Sequence, residues 1–256
     1  MYLTWYGSNS WLIEIANKRI LLDPWLVGPL VFGNQSWFFK AEQSQAYEIP
    51  ENIDVILLSQ GLPDHAHPPT LEALDKNIPV WGSPNAIKVV EKLGFQNLNA
   101  IEHGQSAELE GLSVAAFPGS PIGPMLTENA YVIRDRNSTE SLYYEPHGFH
   151  SSDLDNTQPI DVAIVPLIDL TLPLLGPFIQ GGKAAMKLAQ QIQPSRIIPT
   201  TVGGDVTYSG ILNNLLGAKG DLEELRQEFQ SQNINAEILE PLPCGVAVEI
   251  PAKVLN

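Results

Sequence analysis

Short apolar runs separated by turn residues occupy much of the first sixty positions of the chain. Residues 10–15 and 19–22 are two such runs, with Asn17-Lys18 as the turn between them. Residues 54–58 form a compact aliphatic run that ends in a Ser-Gln-Gly sequence. Apolar runs of this length, bounded by turn residues, predict β-strands.

The next segment alternates between helix and strand patterns. Pro68-Pro69 predicts the start of a short helix over 70–74, because proline is tolerated in a first helical turn. A strand is predicted at 78–81, and a second helix over 85–93, between a capping serine and a terminating glycine. Residues 54–94 therefore have the order strand, helix, strand, helix.

The second half of the chain repeats this order of strands followed by strand–helix units. The predicted strands lie near 107–109, 112–117, 130–134, 141–144, 161–166, 196–198, 236–239 and 246–250, and the predicted helices at 182–191 and 221–230. Two halves of this kind predict two sheets packed face to face with helices outside. The expected fold class is α/β (α+β), built as one domain over residues 1–256.

The net charge of the chain limits the classes of molecule that the protein is expected to bind. The chain has 14 Lys and Arg against 29 Asp and Glu, which gives a net charge of −15. Nucleic acids and anionic membrane surfaces are bound by clusters of Lys and Arg. The longest basic clusters here are Lys18-Arg19 and residues 134–136. We therefore expect neither nucleic acid nor an anionic membrane as a partner.

The cysteine content and the hydropathy of the chain indicate in which cellular compartment the protein is expected. Cys244 is the only cysteine, which excludes an internal disulfide and a cysteine-based zinc cluster. No apolar run approaches the roughly 18 residues that span a bilayer. The first five residues lack the basic and apolar regions of a signal peptide. These features predict a protein of a reducing compartment, the cytoplasm.

Candidate chemistry is concentrated in two loops, each directly after a predicted strand. One loop carries Asp64, His65 and His67, and the other carries Glu145, His147 and His150. Loops at strand ends are where α/β proteins place reactive groups, and imidazoles with carboxylates are the usual ligands of zinc and related ions. The alternative is that these are polar loop residues with local hydrogen bonds.

Several sequence blocks occur in an order that matches one known superfamily. They are Gly7, Leu21-Leu22-Asp23-Pro24-Trp25, Val55-Ile56-Leu57-Leu58-Ser59 followed after four residues by Asp64-His65, Tyr143-Tyr144-Glu145, and Ile198-Pro199. In these blocks the chain resembles the metallo-β-lactamase superfamily, and more narrowly the metal-dependent hydrolases similar to ascorbate-6-phosphate lactonase. The resemblance implies a four-layer αββα sandwich, which agrees with the element order above.

The metal-binding motifs of that superfamily are incomplete in this chain. Its central Ser/Thr-His-x-His-x-Asp-His motif corresponds to residues 59–65, with Gln60 and Leu62 in place of two histidines. The histidine expected near 118–120 is absent, and Thr200 stands where another would follow proline. All three histidines of the first metal position are therefore missing, and a standard dinuclear zinc centre is not predicted.

The resemblance leaves a candidate second metal position. Asp64, His65 and Glu145 match it, with Glu145 in place of an aspartate, and His147 is a further ligand or proton shuttle. This oxygen-rich set suits one divalent Zn, Mn or Fe ion. The alternative is that the site has decayed and binds no metal.

Two classes of function are consistent with these residues. As an enzyme, the protein is a metal-dependent hydrolase of a small ester, lactone or phosphodiester, with Asp64 and His147 as catalytic groups. As a non-enzyme, it is a binding module for a small apolar metabolite. Trp25, the aromatic run 37–39 and the proline-rich stretch 170–179 are expected to pack in the core or to form an apolar rim over the pocket. The oligomeric state is left open.

The fold also predicts spatial relations. The two loops are expected to lie close together, and Gln60 and Leu62 to line the same cavity in the space of the lost first metal. Asp23 is expected to hold the loops rather than to bind metal. His67 and Asp205 are additional candidate ligands without a family counterpart.

Overall fold

The computed structural model of the protein describes residues 1–33, 35–123, 125–173, 176–201 and 203–251. Its strands are β1 (Tyr2–Trp5), β2 (Trp11–Ile15), β3 (Lys18–Leu22), β4 (Leu30–Val31), β5 (Lys40–Gln43), β6 (Val55–Leu58), β7 (Val80–Gly82), β8 (Leu98–Ala100), β9 (Ser106–Leu109), β10 (Leu112–Gly123), β11 (Leu126–Asp135), β12 (Ser141–Tyr144), β13 (Val162–Val165), β14 (Asp169–Leu172), β15 (Gly176–Ile179), β16 (Arg196–Pro199), β17 (Val206–Ser209), β18 (Gly217–Lys219), β19 (Glu237–Ile238) and β20 (Ala247–Glu249). Its helices are α1 (Pro68–Ala73), α2 (Pro84–Lys92), α3 (Gly182–Ile192), α4 (Ile211–Leu215), α5 (Leu222–Ser231) and a 3₁₀ helix at Ser152–Asn156.

Most of these strands belong to two seven-stranded sheets. One sheet has the order β20-β1-β2-β3-β6-β7-β8, and the other has the order β19-β16-β13-β12-β11-β10-β9. Strands β3, β6, β7 and β8 run parallel, as do β12, β13, β16 and β19. Parallel neighbours need a crossover connection, and α1 and α2 supply two crossovers of the first sheet, α3 and α5 two of the second.

Alternation along single strands shows how the layers pack. On β6, Val55 and Leu57 lie in the apolar cluster shared by the two sheets, whereas Ile56 and Leu58 lie in the cluster that includes residues of α1 and α2. The side chains of β13 alternate in the same way. Val162 and Ile164 lie in the shared cluster, and Ala163 and Val165 lie in a cluster with residues of α3 and α5. Both faces of these strands are therefore covered, and the predicted αββα sandwich is confirmed.

The predicted elements are present with shifted ends. The helices expected at 70–74, 85–93, 182–191 and 221–230 correspond to α1, α2, α3 and α5. Strands β10 and β11 are longer than predicted, because their pairing continues through Pro118 and Pro121 with irregular register. The sequence pattern missed α4 and the 3₁₀ helix, which are only about one turn long, and the short strands β1, β4, β5, β8, β14, β15, β17 and β18.

Two three-stranded sheets, β15-β14-β18 and β17-β5-β4, are additions to the sandwich. The stretch 170–179 forms the hairpin of β14 and β15, as expected of a segment that is not a helix, although residues 174 and 175 lie outside the described residues. Among the aromatic residues expected as core or rim, Trp25 and Phe39 are buried, whereas Trp37 and Phe38 are exposed. Within the described ranges, no helix has the length and apolar character needed to cross a bilayer.

Removing side-chain volume between the two sheets should lower stability. Leu57 is fully buried there, so Leu57→Ala should reduce the free energy of unfolding by about 2–5 kcal/mol in urea denaturation. Leu62→Ala is the matched control, because Leu62 is exposed and surface substitutions usually change stability by less than about 0.5 kcal/mol. Equal losses in the two variants would contradict this placement of Leu57.

Candidate metal site

The two polar loops meet at one edge of the sandwich. The first loop follows β6 of one sheet, and the second follows β12 of the other. The ring centroids of His65 and His147 are 5.3 Å apart. The ends of β6 and β12 therefore lie at the same edge, and the prediction that the two loops lie close together is confirmed.

A buried carboxylate joins the two loops. Asp23 directly follows β3, and its Oδ1 accepts a hydrogen bond from the backbone N–H of Ser59 at 2.7 Å. Its Oδ2 accepts from the Ser59 hydroxyl at 2.6 Å, from His65 Nδ1 at 2.7 Å and from the Tyr144 hydroxyl at 2.8 Å. Tyr144 belongs to the opposite sheet, so this side chain connects both layers. The prediction that Asp23 holds the loops is confirmed.

His65 is oriented by that carboxylate. Because Nδ1 donates to Asp23, the neutral ring presents the lone pair of Nε2 on its other side. Nε2 lies 3.4 Å from Asp64 Oδ2 and 3.3 Å from Asn9 Nδ2. Burial alone would lower the pKa of His65, but the charges of Asp64 and Asp23 outweigh it and raise the pKa well above its usual value. A carboxylate behind the ring is the arrangement that orients imidazole ligands of metals.

A second imidazole–carboxylate pair lies beside the first. Nδ1 of His147 lies 2.6 Å from Oε1 of Glu128, a residue of β11. The Ser120 backbone N–H also donates to Oε1, at 3.2 Å, and Gln60 Nε2 donates to Oε2 at 3.0 Å. Burial would raise the pKa of Glu128, but the His147 imidazole holds it below its usual value. Glu128 thus orients His147 as Asp23 orients His65.

Glu145 is fixed by the backbone of the second loop. Its Oε2 accepts hydrogen bonds from the N–H groups of His147, Gly148 and Phe149, at 3.2 Å for His147 and 2.9 Å for Phe149. Burial, together with the neighbouring Glu128 carboxylate, raises the pKa of Glu145 well above its usual value. One oxygen is therefore held in place, which leaves the other available to a ligand.

The donor atoms form two overlapping groups, each of a size that suits a divalent ion. One group contains Asp64, His65 and His147, and the other contains Glu128, Glu145 and His147. Within each group the donor atoms lie within 4.8 Å of one another. The residue types are imidazoles and carboxylates, which bind Zn, Mn and Fe.

Buried oxygens without partners support this fit. Among the described residues, Asp64 Oδ1, Glu145 Oε1 and Gln60 Oε1 are buried and accept no hydrogen bond. A buried acceptor left unpaired costs about 1–3 kcal/mol, and more when it is charged. A cation at this strand edge would remove that cost, so the residues present fit a divalent metal ion.

Two other sequence candidates lie outside the donor groups. Nδ1 of His67 is 3.0 Å from the Thr70 hydroxyl and its Nε2 is 3.3 Å from the Pro29 carbonyl oxygen, and burial lowers the pKa of His67 to about 4. Asp205 is exposed and accepts a hydrogen bond from Gln45 Nε2 at 3.3 Å. The structure therefore gives both residues local partners in place of a metal.

The prediction for Gln60 and Leu62 is correct only in part. Gln60 is buried and bonded to Glu128, within the site. Leu62 is 43 % exposed, and its carbonyl oxygen accepts the N–H groups of His65 and Ala66 in a turn. This turn leaves the Leu62 side chain at the surface, so it does not fill the space of a lost metal ligand.

Glu128 is the site residue that sequence analysis missed. It lies beyond the predicted strand at 130–134, in a polar stretch that does not look like a strand. The signal was topological: β11 runs antiparallel to β12, with Tyr131 opposite Tyr144. The residues just before Tyr131 therefore reach the same edge as those just after Tyr144, where Glu145 begins the second loop.

Comparison with known proteins agrees with this geometry. The family described as the beta-lactamase superfamily domain matches residues 2–201. The chain belongs to this family. The matched span contains both donor groups, together with Asp23 and Gln60. Asp205 and α5 lie beyond it.

Relatives of this beta-lactamase superfamily member span most of its length. A UPF0173 metal-dependent hydrolase of Paracoccus denitrificans is 25% identical over 236 residues, covering 78% of this chain and 99% of its own. A UPF0173 metal-dependent hydrolase of Methanopyrus kandleri is 24% identical over 261 residues, covering 94% and 97%. Igni18, a metallo hydrolase of Ignicoccus hospitalis, has a TM-score of 0.68 at 16% identity, covering 98% and 99%. The structural likeness shows the fold. The narrower resemblance to ascorbate-6-phosphate lactonase stays a prediction.

Asp23→Asn should destabilise the protein by about 3 kcal/mol or more. The substitution replaces one of the two acceptor oxygens by an NH₂ group, which then faces the single donor at Oδ1 or the three at Oδ2, and it leaves His65 without its buried counter-charge. Urea denaturation monitored by tryptophan fluorescence measures the change. Asp205→Asn is the control, since Asp205 is exposed, and its midpoint should stay close to wild type. A small effect at Asp23 would show that another contact joins the sheets.

Proposed function

We propose that the protein is a metal-dependent hydrolase of a small ester, lactone or phosphodiester and that it uses one divalent metal ion. The observation that carries the proposal is the meeting of two imidazole–carboxylate pairs with unpaired buried oxygens at one strand edge. The names of its relatives, which are metal-dependent hydrolases, support the same reaction class. We infer that the whole chain acts as one domain.

Three residues would hold the ion, Asp64, His65 and Glu145, which leaves Nε2 of His147 free to transfer a proton. Glu128 lies in the second donor group, but its oxygens already accept from Gln60, Ser120 and His147, which favours an orienting role. The missing histidines of the first position favour a single ion. When bound, a divalent ion polarises a carbonyl or phosphoryl oxygen and lowers the pKa of a coordinated water.

The protein's own groups would position the substrate and move protons. The side chains of Asp64 and His147 are 23% and 13% exposed, whereas His65, Glu128 and Glu145 are fully buried. Substrate would therefore approach from the side of Asp64 and His147. With Nδ1 held by Glu128, His147 can give or take a proton at Nε2. Burial would raise the pKa of Asp64, but His65 and His147 lower it, so its carboxylate stays ionised to orient a substrate group.

A small molecule is the substrate class that the charge supports. A net charge of −15 opposes binding of nucleic acid. An apolar character of the substrate stays a prediction, because only part of the expected aromatic rim, Trp37 and Phe38, is exposed. Cytoplasmic location likewise stays a prediction.

His65→Ala should remove most of the bound metal. The imidazole is fully buried, so solvent cannot readily replace it. Protein purified without a histidine tag and supplemented with Zn or Mn should carry about one ion per chain by elemental analysis, and the variant should carry much less. Asp205→Ala, outside the donor groups, should match wild type. Wild-type protein without metal, or a variant with unchanged content, would favour the metabolite-binding module instead.

His147→Gln should reduce hydrolysis more than it reduces stability. Loss of a proton-transferring group lowers kcat by roughly 10²–10⁴-fold. Rates per bound metal are measured on p-nitrophenyl acetate, a lactone and bis(p-nitrophenyl) phosphate. His103→Gln is the control, because the hydrogen bond of His103 Nε2 to Glu128, at 3.1 Å, is to the backbone carbonyl oxygen and not to the carboxylate. Equal loss in the two variants would contradict the role given to His147.

A further inference from the structure

A cavity of about 510 Å³ adjoins the candidate metal site. It lies between the second loop and the first turns of α3, and Gly119 and Gly148 form part of its wall. The backbone N–H of Gly148 donates to Glu145. A methyl group built on Gly119 would lie 2.9 Å from Glu128 Cγ. Only one layer of backbone therefore separates the cavity from two carboxylates of the donor groups.

The start of α3 contributes positive charge to this cavity. Its N-cap is Gly181, whose own N–H donates to Asp169 Oδ1 at 2.6 Å, and no N-cap side chain caps the N–H groups of the first turn that follows. Free N–H groups and the helix dipole at this end favour an anion. Lys183 and Lys187, both exposed, lie one turn apart on the same side of α3, and both line the cavity.

His150 is a second and independent observation. Its side chain is 7% exposed, and its Nδ1 lies 3.0 Å from the Tyr143 hydroxyl. We assign the hydroxyl hydrogen of Tyr143 to this bond, because the structure gives that hydroxyl no other partner among the described residues, and this leaves the hydrogen of the neutral ring on Nε2. That Nε2 is buried without a hydrogen-bond partner among the described residues, and His150 lines the cavity. An unpaired buried N–H is costly unless a ligand accepts from it.

The composition of the lining agrees with an anionic occupant. The chain has 29 acidic residues and 14 basic ones. Two of the basic residues line this cavity, and no acidic side chain is among the residues that the structure places around it. Ser151 and Gln180 are the other polar residues of the wall.

We propose that this cavity binds an anionic group of the substrate, a phosphate or a carboxylate. The proposal rests on the proposed function, since it places the bond to be cleaved at the adjacent donor groups. The ammonium groups of Lys183 and Lys187, the first N–H groups of α3 and His150 Nε2 would hold the anion. The substrate class is then an ester, lactone or phosphodiester that carries a second anionic group.

Binding of inorganic phosphate tests the cavity directly. Calorimetric titration of the full, metal-loaded protein should show binding, weakened about tenfold or more by the double substitution Lys183→Ala and Lys187→Ala, because contacts to two charged groups are lost. Lys88→Ala, an exposed lysine of α2, should match wild type. Titration with acetate distinguishes a carboxylate site from one that prefers phosphate. Binding that is lost in His65→Ala but unchanged in the lysine variant would place the anion on the metal and overturn the proposal.

A pair of esters separates this proposal from the proposed function. Wild-type protein should have a KM about tenfold lower for the p-nitrophenyl monoester of succinate than for p-nitrophenyl acetate, and the lysine variant should lose this preference. Hydrolysis of both esters without preference would overturn the anion subsite and leave the hydrolase intact. Phosphate binding that depends on the lysines, in protein that hydrolyses neither ester, would keep the subsite and overturn the hydrolase.

Discussion

The contacts of one carboxylate, Asp23, connect the sandwich to its candidate site. Four donors from both sheets converge on it. Its backbone lies in the left-handed region, at φ +42°, which costs a non-glycine residue about 1–2 kcal/mol. The Ser10 hydroxyl donates to its carbonyl oxygen at 2.9 Å and accepts the Trp25 N–H at 2.7 Å. Strain of this kind persists where surrounding contacts outweigh it, commonly beside a functional site.

The second imidazole–carboxylate pair follows from a departure in the family motif. Where the superfamily has a histidine, Gln60 cannot act as a strong nitrogen ligand, but its amide N–H donates to Glu128. Glu128 is then free to turn its other oxygen toward His147. The departure from the family histidine and the orientation of His147 are therefore linked through the same glutamate. Without a partner from β11, Gln60 would leave both polar ends of its amide buried and unpaired.

Local sequence patterns predicted those strands and helices whose formation depends on residues that are close together in the sequence. Apolar runs located most of the strands around the core, although not β1, and proline marked the start of α1 and glycine the end of α2. The αββα layers and the meeting of the two loops came from element order and resemblance. Glu128 could not be found this way, because its role arises from the antiparallel register that places Tyr131 opposite Tyr144. Leu62 was misplaced for a related reason, since a turn directs it to solvent.

The global charge and the charge of the proposed subsite act over different distances. A net charge of −15 would repel an anionic substrate at long range. At physiological ionic strength, however, exposed charges more than about 8 Å apart are largely screened. Within that distance, Lys183, Lys187 and the start of α3 attract the anion, and the carboxylates of Glu128 and Glu145, one backbone layer away, oppose it only as far as a bound divalent ion leaves their charge uncompensated. The acidic surface would thus slow the approach of an anionic substrate without preventing its binding, and raising the salt concentration should weaken the local contacts and the long-range repulsion together.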